Sequence, residues 1–188
     1  MMIDGFDVSK QPLYDTAKLV GSVFQNPRSQ FFNVDTTSEL SFGCENLGMP
    51  KDEILRRLDE TVSALKIESL LDRSIFDLSG GEKQKIACGG AFMMDPGIFV
   101  LDEPSSNLDS DSIADLRATI AYLKSLGKTV ILSEHRLYYL RGIADRYIYL
   151  KDGEISGEFR KHSIRLDHRN HRPQRCREKH VFRLFLRT

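Results

Sequence analysis

Four mainly apolar runs, at residues 19–24, 98–101, 129–132 and 147–150, punctuate this chain of 188 residues. A run without polar alternation has no face to offer water, so each reads as a strand covered on both sides, the condition of a parallel sheet. Helical periodicity fills most of the spacing between them. In residues 51–66, Ile54, Leu58, Val62 and Leu65 recur at steps of four, four and three behind Pro50, which describes one face of a helix. Residues 110–126 repeat the pattern with Ile113, Leu116, Ile120 and Leu123, with Asp109 or Ser110 as N-cap and Gly127 as stop. Lys151-Asp152-Gly153 suits a tight turn into a short strand near Ile155. The pattern predicts an α/β body over residues 1–159, with a mainly parallel sheet. Residues from about 35 to 94 are helical by pattern and interrupt the strands, as an inserted helical subdomain would.

Charge divides the chain differently. Its 27 basic and 27 acidic residues cancel, but residues 160–188 carry ten Lys/Arg against Asp167 and Glu178, and four of the five histidines. This tail has no steady period of 2 or 3.6, so it is expected to be disordered or non-native. Three readings of it stand open. It is a nucleic-acid or membrane-surface arm with Val181, Phe182, Leu184, Phe185 and Leu186 as apolar contacts, a solvated extension, or translation out of frame after Phe159. Cys44, Cys88 and Cys176 are odd in number and share no metal-ligand spacing, which argues against a disulfide framework or a zinc site and fits a reducing cytoplasm. No apolar run approaches the ~18 residues of a membrane span, so association with a membrane is expected through a partner.

The residues that carry chemistry lie next to the apolar runs. Asp102 and Glu103 end the run at 98–101, where a parallel sheet presents ligand groups at its carboxyl edge. His135 follows the run at 129–132, and Gln25 follows the run at 19–24 in Phe24-Gln25-Asn26-Pro27. Leu78-Ser79-Gly80-Gly81-Glu82 opens a helical stretch. Small residues there let backbone N–H groups approach an anion at the positive end of a helix, although serine is also a plain N-cap. Ser105-Ser106-Asn107-Leu108-Asp109 follows the acidic pair closely.

Taken in order, these segments resemble the Q-loop, signature, Walker B, D-loop and switch histidine of ABC-type ATPases. Ser29-Gln30-Phe31-Phe32 and Phe42-Gly43-Cys44-Glu45-Asn46-Leu47-Gly48 resemble, more specifically, the energy-coupling-factor (ECF) importers of that family, which take up vitamins and metal ions. The resemblance covers residues 3 to about 159. It implies a P-loop NTPase-like ABC cassette that uses ATP and Mg²⁺. Asp102 and Gln25 would reach the metal, and Glu103 would act as base on the attacking water. His135 would contact the γ-phosphate, Ser79, Gly80 and Gly81 would bind a nucleotide held by a facing subunit, and Asp109 would reach across the dimer interface. Implied partners are a membrane-embedded transport subunit and a second ABC ATPase domain, in a homodimer or heterodimer. The implied location is the inner face of the cell membrane; nucleic acid is not expected among the partners.

One part of that pattern is missing. No G-x-x-x-x-G-K-[ST] segment occurs in the 188 residues. Gly127-Lys128-Thr129 ends like one, but Tyr122 stands where its first glycine belongs, and the segment runs from helix to strand. The family's order puts the loop ahead of the segment resembling Ile3-Asp4-Gly5-Phe6-Asp7-Val8. The expectation is therefore a cassette lacking its first strands and phosphate-binding loop, inactive alone as an ATPase. The functional expectation is an ATP-hydrolysing importer subunit; the alternative is an inactive fragment or half-site partner contributing only the signature.

Overall fold

The apolar runs form strands at the heart of the protein. The computed structural model describes residues 2–3, 6–7, 10–152, 154–160 and 182–186. A short antiparallel hairpin, β1 (Met2–Ile3) and β2 (Phe6–Asp7), precedes helix α1 (Leu13–Leu19), which runs directly into β3 (Val20–Val23). Strands β4 (Ile98–Asp102) and β5 (Thr129–Glu134) follow, then β6 (Arg146–Lys151) and β7 (Glu154–Arg160). Together with β8 (Phe182–Leu186) they make a sheet of order β3-β4-β5-β8-β6-β7. Ladders β3-β4 and β4-β5 are parallel, with Val23 beside Leu101 and Asp102 beside Ser133. β8 is antiparallel to both β5 and β6, so β5 and β6 share the direction of β3 and β4.

The tail therefore differs in part from its sequence expectation. Residues 182–186 are a central strand, pairing Glu134 with Phe182 on one side and Tyr147 with Leu184 on the other. The physical reason is that β5 and β6 each present an open row of backbone N–H and C=O groups, and an apolar segment can satisfy both rows at once. Residues 161–181 lie outside the described residues.

Two apolar clusters divide the interior. The first lies between sheet and helix α5 (Ser110–Ser125), with Phe99, Leu101, Val130 and Leu132 against Ile113, Leu116, Ile120 and Leu123. The second belongs to the helices inserted between β3 and β4: α2 (Thr36–Asn46), α3 (Lys51–Leu65) and α4 (Gly80–Met93). Leu40, Leu65, Ile67, Leu70, Ile86 and Met93 form its centre. Helix α4 serves both clusters, sending Ala87, Cys88 and Ala91 to the sheet side and Ile86 and Met93 to the helical side. It is buried nearly all round, which is why its sequence shows no clean amphipathic stripe. Gly89 permits the approach of α2, since a Cβ there would lie 2.6 Å from Leu40 Cδ2.

Cys88 reports on this packing. Burial pushes its thiol up to about 12, because the thiolate would sit among apolar side chains. An unfolded chain releases that proton near pH 9, whereas the folded chain retains it to about 12. The unfolded state then binds fewer protons, so stability falls as pH rises through this window, by up to ~1.4 kcal/mol per unit. Urea unfolding at pH 8, 9.5 and 10.5 is expected to show that decline, and Cys88→Ala should make it shallower. Equal declines in both proteins would show that Cys88 titrates freely.

Candidate functional site

The carboxyl edge of the parallel strands gathers the polar groups. Asp102 closes β4 with an exposed side chain, and Glu103, the next residue, turns the chain away with φ of 39°. This left-handed conformation is costly for a residue with a Cβ, and such strain persists where surrounding contacts enforce it. Here the Glu103 N–H donates to the Ser133 carbonyl of β5 at 2.8 Å.

That turn aims the Glu103 carboxylate between Gln25 and His135. Gln25 Nε2 donates to its Oε2 at 2.9 Å, and His135 Nε2 lies 2.8 Å from its Oε1. Gln25 leaves β3, Glu103 leaves β4 and His135 leaves β5, so three residues more than a hundred positions apart at the extremes meet because their strands are adjacent in parallel register. Asp102, Glu103, Gln25 and His135 thus share one edge.

The second group is built at the start of α4. Ser79 caps the helix: its Oγ accepts from Glu82 N at 3.2 Å, while Glu82 Oε2 accepts from Ser79 N at 2.7 Å, a reciprocal capping box. Those bonds, the one from the Ser79 N–H foremost, hold the Glu82 carboxyl below its usual range. Arg73 Nη1 pairs with Glu82 at 2.9 Å and anchors the turn from behind. Gly81 is required by close approach, since a Cβ there would collide with Ser112 Oγ in α5; at Gly80 it would lie 3.3 Å from the Asn107 carbonyl. Asp109 caps α5 by accepting from Ser112 N at 2.9 Å, which lowers its carboxyl pKa, and its side chain is otherwise exposed.

The structure therefore makes two constellations from the sequence candidates. Gln25, Glu103 and His135 are in direct contact, with Asp102 adjoining; Ser79, Gly80, Gly81 and Asp109 cluster where α4 meets the 105–109 turn. A cavity of about 360 Å³ separates them, bordered by Gln25 and Pro104 on one side and by Gly80 and Lys83 on the other. Among the described residues no cluster of three or more His, Cys, Asp or Glu forms a metal cage. The oxygens of Asp102 and Gln25 suit magnesium, which takes one or two protein oxygens and completes its shell with water and phosphate.

Sequence reading missed two contributors. Glu82 reads as a departure from the usual glutamine, yet the Ser-x-x-Glu spacing at 79–82 is itself a capping-box signal. Glu134 gave no signal beyond its place before His135, although it is 2% exposed and hydrogen-bonded on both oxygens.

The chain is similar to proteins already known. Residues 1–106 match the family model described as ABC transporter. A putative ABC transporter ATP-binding protein of Treponema denticola is 50% identical over 155 residues, which cover 82% of this chain and 32% of the relative. The energy-coupling factor transporter ATP-binding protein EcfA of Methanoculleus marisnigri is 38% identical over 159 residues, covering 84% of this chain and 57% of that protein. Among solved structures, cbiO1 from Clostridium perfringens, part of the ABC transporter complex cbiONQ, aligns with a TM-score of 0.77 at 29% identity, covering 85% of this chain and 65% of that one. An ATP-binding cassette whose structure is a dimer in a post-hydrolysis state, bound to ADP and Pi, aligns at 0.74 with 24% identity and shares the fold; the match covers 85% of this chain and 72% of that one. The chain spans 32%, 33% and 26% of three of the curated relatives it matches.

Proposed function

Because this chain belongs to the ABC transporter family as an ATP-binding domain, we propose that it is part of the ATP-binding machinery of an ECF-type importer, coupling nucleotide hydrolysis to uptake of a small nutrient. The observation that carries this reading is the contacting trio of Gln25, Glu103 and His135. A carboxylate with an amide donor on one oxygen and an imidazole nitrogen against the other is fixed in direction while keeping lone pairs for a proton, as a base toward a water nucleophile requires. In this reading Asp102 and Gln25 offer oxygens to Mg²⁺, and His135 stands where a γ-phosphate oxygen would come.

The start of α4 supplies the complementary half. Exposed Ser79 and the Gly80 and Gly81 N–H groups present donors and the positive helix end to a phosphate. We assign that phosphate to a nucleotide held by a facing ATPase domain, because the start of α4 lies across a cavity from the Glu103 side of the same chain. Among the described residues no helix is long and apolar enough to cross a membrane. An apolar cavity of about 280 Å³ lined by Tyr14, Phe32, Phe42, Leu47 and Met94, with Phe32 75% and Val34 66% exposed beside it, is the surface we assign to a membrane-embedded subunit.

The composite-site reading has a direct test. Mixed with an ATPase domain that has an intact phosphate loop but a disabled signature, the chain is expected to restore hydrolysis of Mg·ATP. Ser79→Arg should abolish that restoration, because a long side chain would enter the phosphate position. No restoration from a folded, partner-bound chain would sink the reading and favour the alternative of an inactive fragment.

A further inference from the structure

Glu134, the last residue of β5, is a buried carboxylate that lies outside both constellations. Taking an ionised carboxylate out of water is unfavourable unless its oxygens are satisfied, and here they are. Oε1 accepts from the His135 N–H at 2.8 Å and the Arg136 N–H at 2.9 Å, and Oε2 accepts from the Tyr139 hydroxyl at 2.7 Å. The Tyr139 phenol is pushed up from its ordinary value by burial first and by the neighbouring carboxylate second. The side chain therefore curls over the turn that follows its own strand and fixes the two backbone amides there.

Those two amides belong to the residues that face the two constellations. His135 turns toward Glu103, 2.8 Å away. Arg136 turns the other way, and its Nη1 donates to the Ser105 carbonyl at 3.1 Å and the Leu108 carbonyl at 3.4 Å, bracketing the turn that ends at Asp109. That turn carries Asn107, whose carbonyl abuts Gly80. One buried carboxylate is thus linked through His135 to Glu103 in one direction, and through Arg136 to the 105–109 turn, which packs against Gly80 at the start of α4, in the other.

We propose that Glu134 is a positioning residue that sets His135 and, through Arg136, the 105–109 turn, so that the hydrolytic and phosphate-receiving halves are held in one relative geometry. The inference rests on the composite-site reading for its consequence and on the hydrogen bonds for its mechanism. The role requires an acceptor at Oε1 rather than a charge. Glu134→Gln preserves that acceptor, and its amide group can still meet Tyr139 with the hydroxyl reversed. Glu134→Leu keeps the bulk but leaves both amides without a partner.

Two measurements on the full chain test this. In the complex with the phosphate-loop-bearing domain, Glu134→Leu is expected to lower kcat at least tenfold with KM for ATP within twofold. Glu134→Gln should recover kcat to within threefold of the unchanged chain. A role in stability alone would reduce the amount of folded complex and leave kcat per complex unchanged, and that result would overturn the proposal while leaving the composite-site reading intact. On the chain alone, amide hydrogen exchange at His135 and Arg136 is expected to speed at least tenfold in Glu134→Leu and to recover in Glu134→Gln, with Val130 and Leu132 unaffected. Unchanged exchange at the two amides, or equal acceleration across β5, overturns the positioning role even where no turnover is obtained.

Discussion

Joined to an upstream segment bearing a phosphate-binding loop, the chain is expected to hydrolyse Mg·ATP, and Glu103→Gln to cut kcat by about 10²–10⁴, the usual worth of a positioned general base. The substitution keeps the size and the bonding partners of the side chain but removes the proton acceptor. Gln25 and His135 would still find an oxygen and an amide to meet, so folding and nucleotide binding should be nearly unchanged. Steady-state turnover together with nucleotide affinity separates the two. His135→Ala removes the imidazole against Oε1 and is expected to slow turnover as well, with the loss again in kcat. A Glu103→Gln protein as fast as its parent would remove Glu103 from the role of base, and full activity of His135→Ala would remove the switch role.

Deleting residues 161–188 is expected to destabilise the fold severely. β8 is the only element joining β5 to β6 in the described sheet, and it satisfies backbone groups of both. Its removal splits the sheet into β3-β4-β5 and β6-β7 and leaves an unpaired backbone edge on each. At ~0.5–1.5 kcal/mol per hydrogen bond, several lost bonds come to several kcal/mol. For a chain of this size each kcal/mol shifts the midpoint by about 2–4 °C, so a fall of roughly 10 °C or a loss of cooperativity is expected. Thermal unfolding followed by circular dichroism reads this directly. An unchanged midpoint with better solubility would return the tail to the reading of a solvated or non-native extension.

These two expectations fall on opposite sides of what the residues alone disclose. The strands β3, β4, β5 and β6 are legible within one or two residues, because a mainly apolar run has few other uses in a chain of this composition. The helices α3 and α5 are legible as well, since each packs one face and keeps a period. Helix α4 is less so, because a helix buried between two clusters loses the contrast on which periodicity depends. The acidic pair at 102–103, Gln25 and His135 stand at strand ends, and strand ends in a parallel sheet share an edge, so their meeting follows from local signals plus one topological rule. The helical start at 79–82 is encoded entirely within four residues.

What the linear sequence could not disclose depends on contacts between segments far apart along it. Phe182–Leu186 has the composition of a strand, but a basic, aperiodic context hides it, and only the two open strand edges at β5 and β6 give it a place. The orientation of Glu103 needs the Ser133 carbonyl to hold a left-handed turn. Glu134 looks like one more acidic residue until burial strips it of water and three protein donors take its place. Local propensity and period wrote the elements and the chemistry each can present. Tertiary packing alone decided which carboxylate faces a nucleophile, which one is sealed inside to hold its neighbours, and which segment fills the middle of the sheet, because burial and hydrogen-bond satisfaction exist only once distant backbones have met.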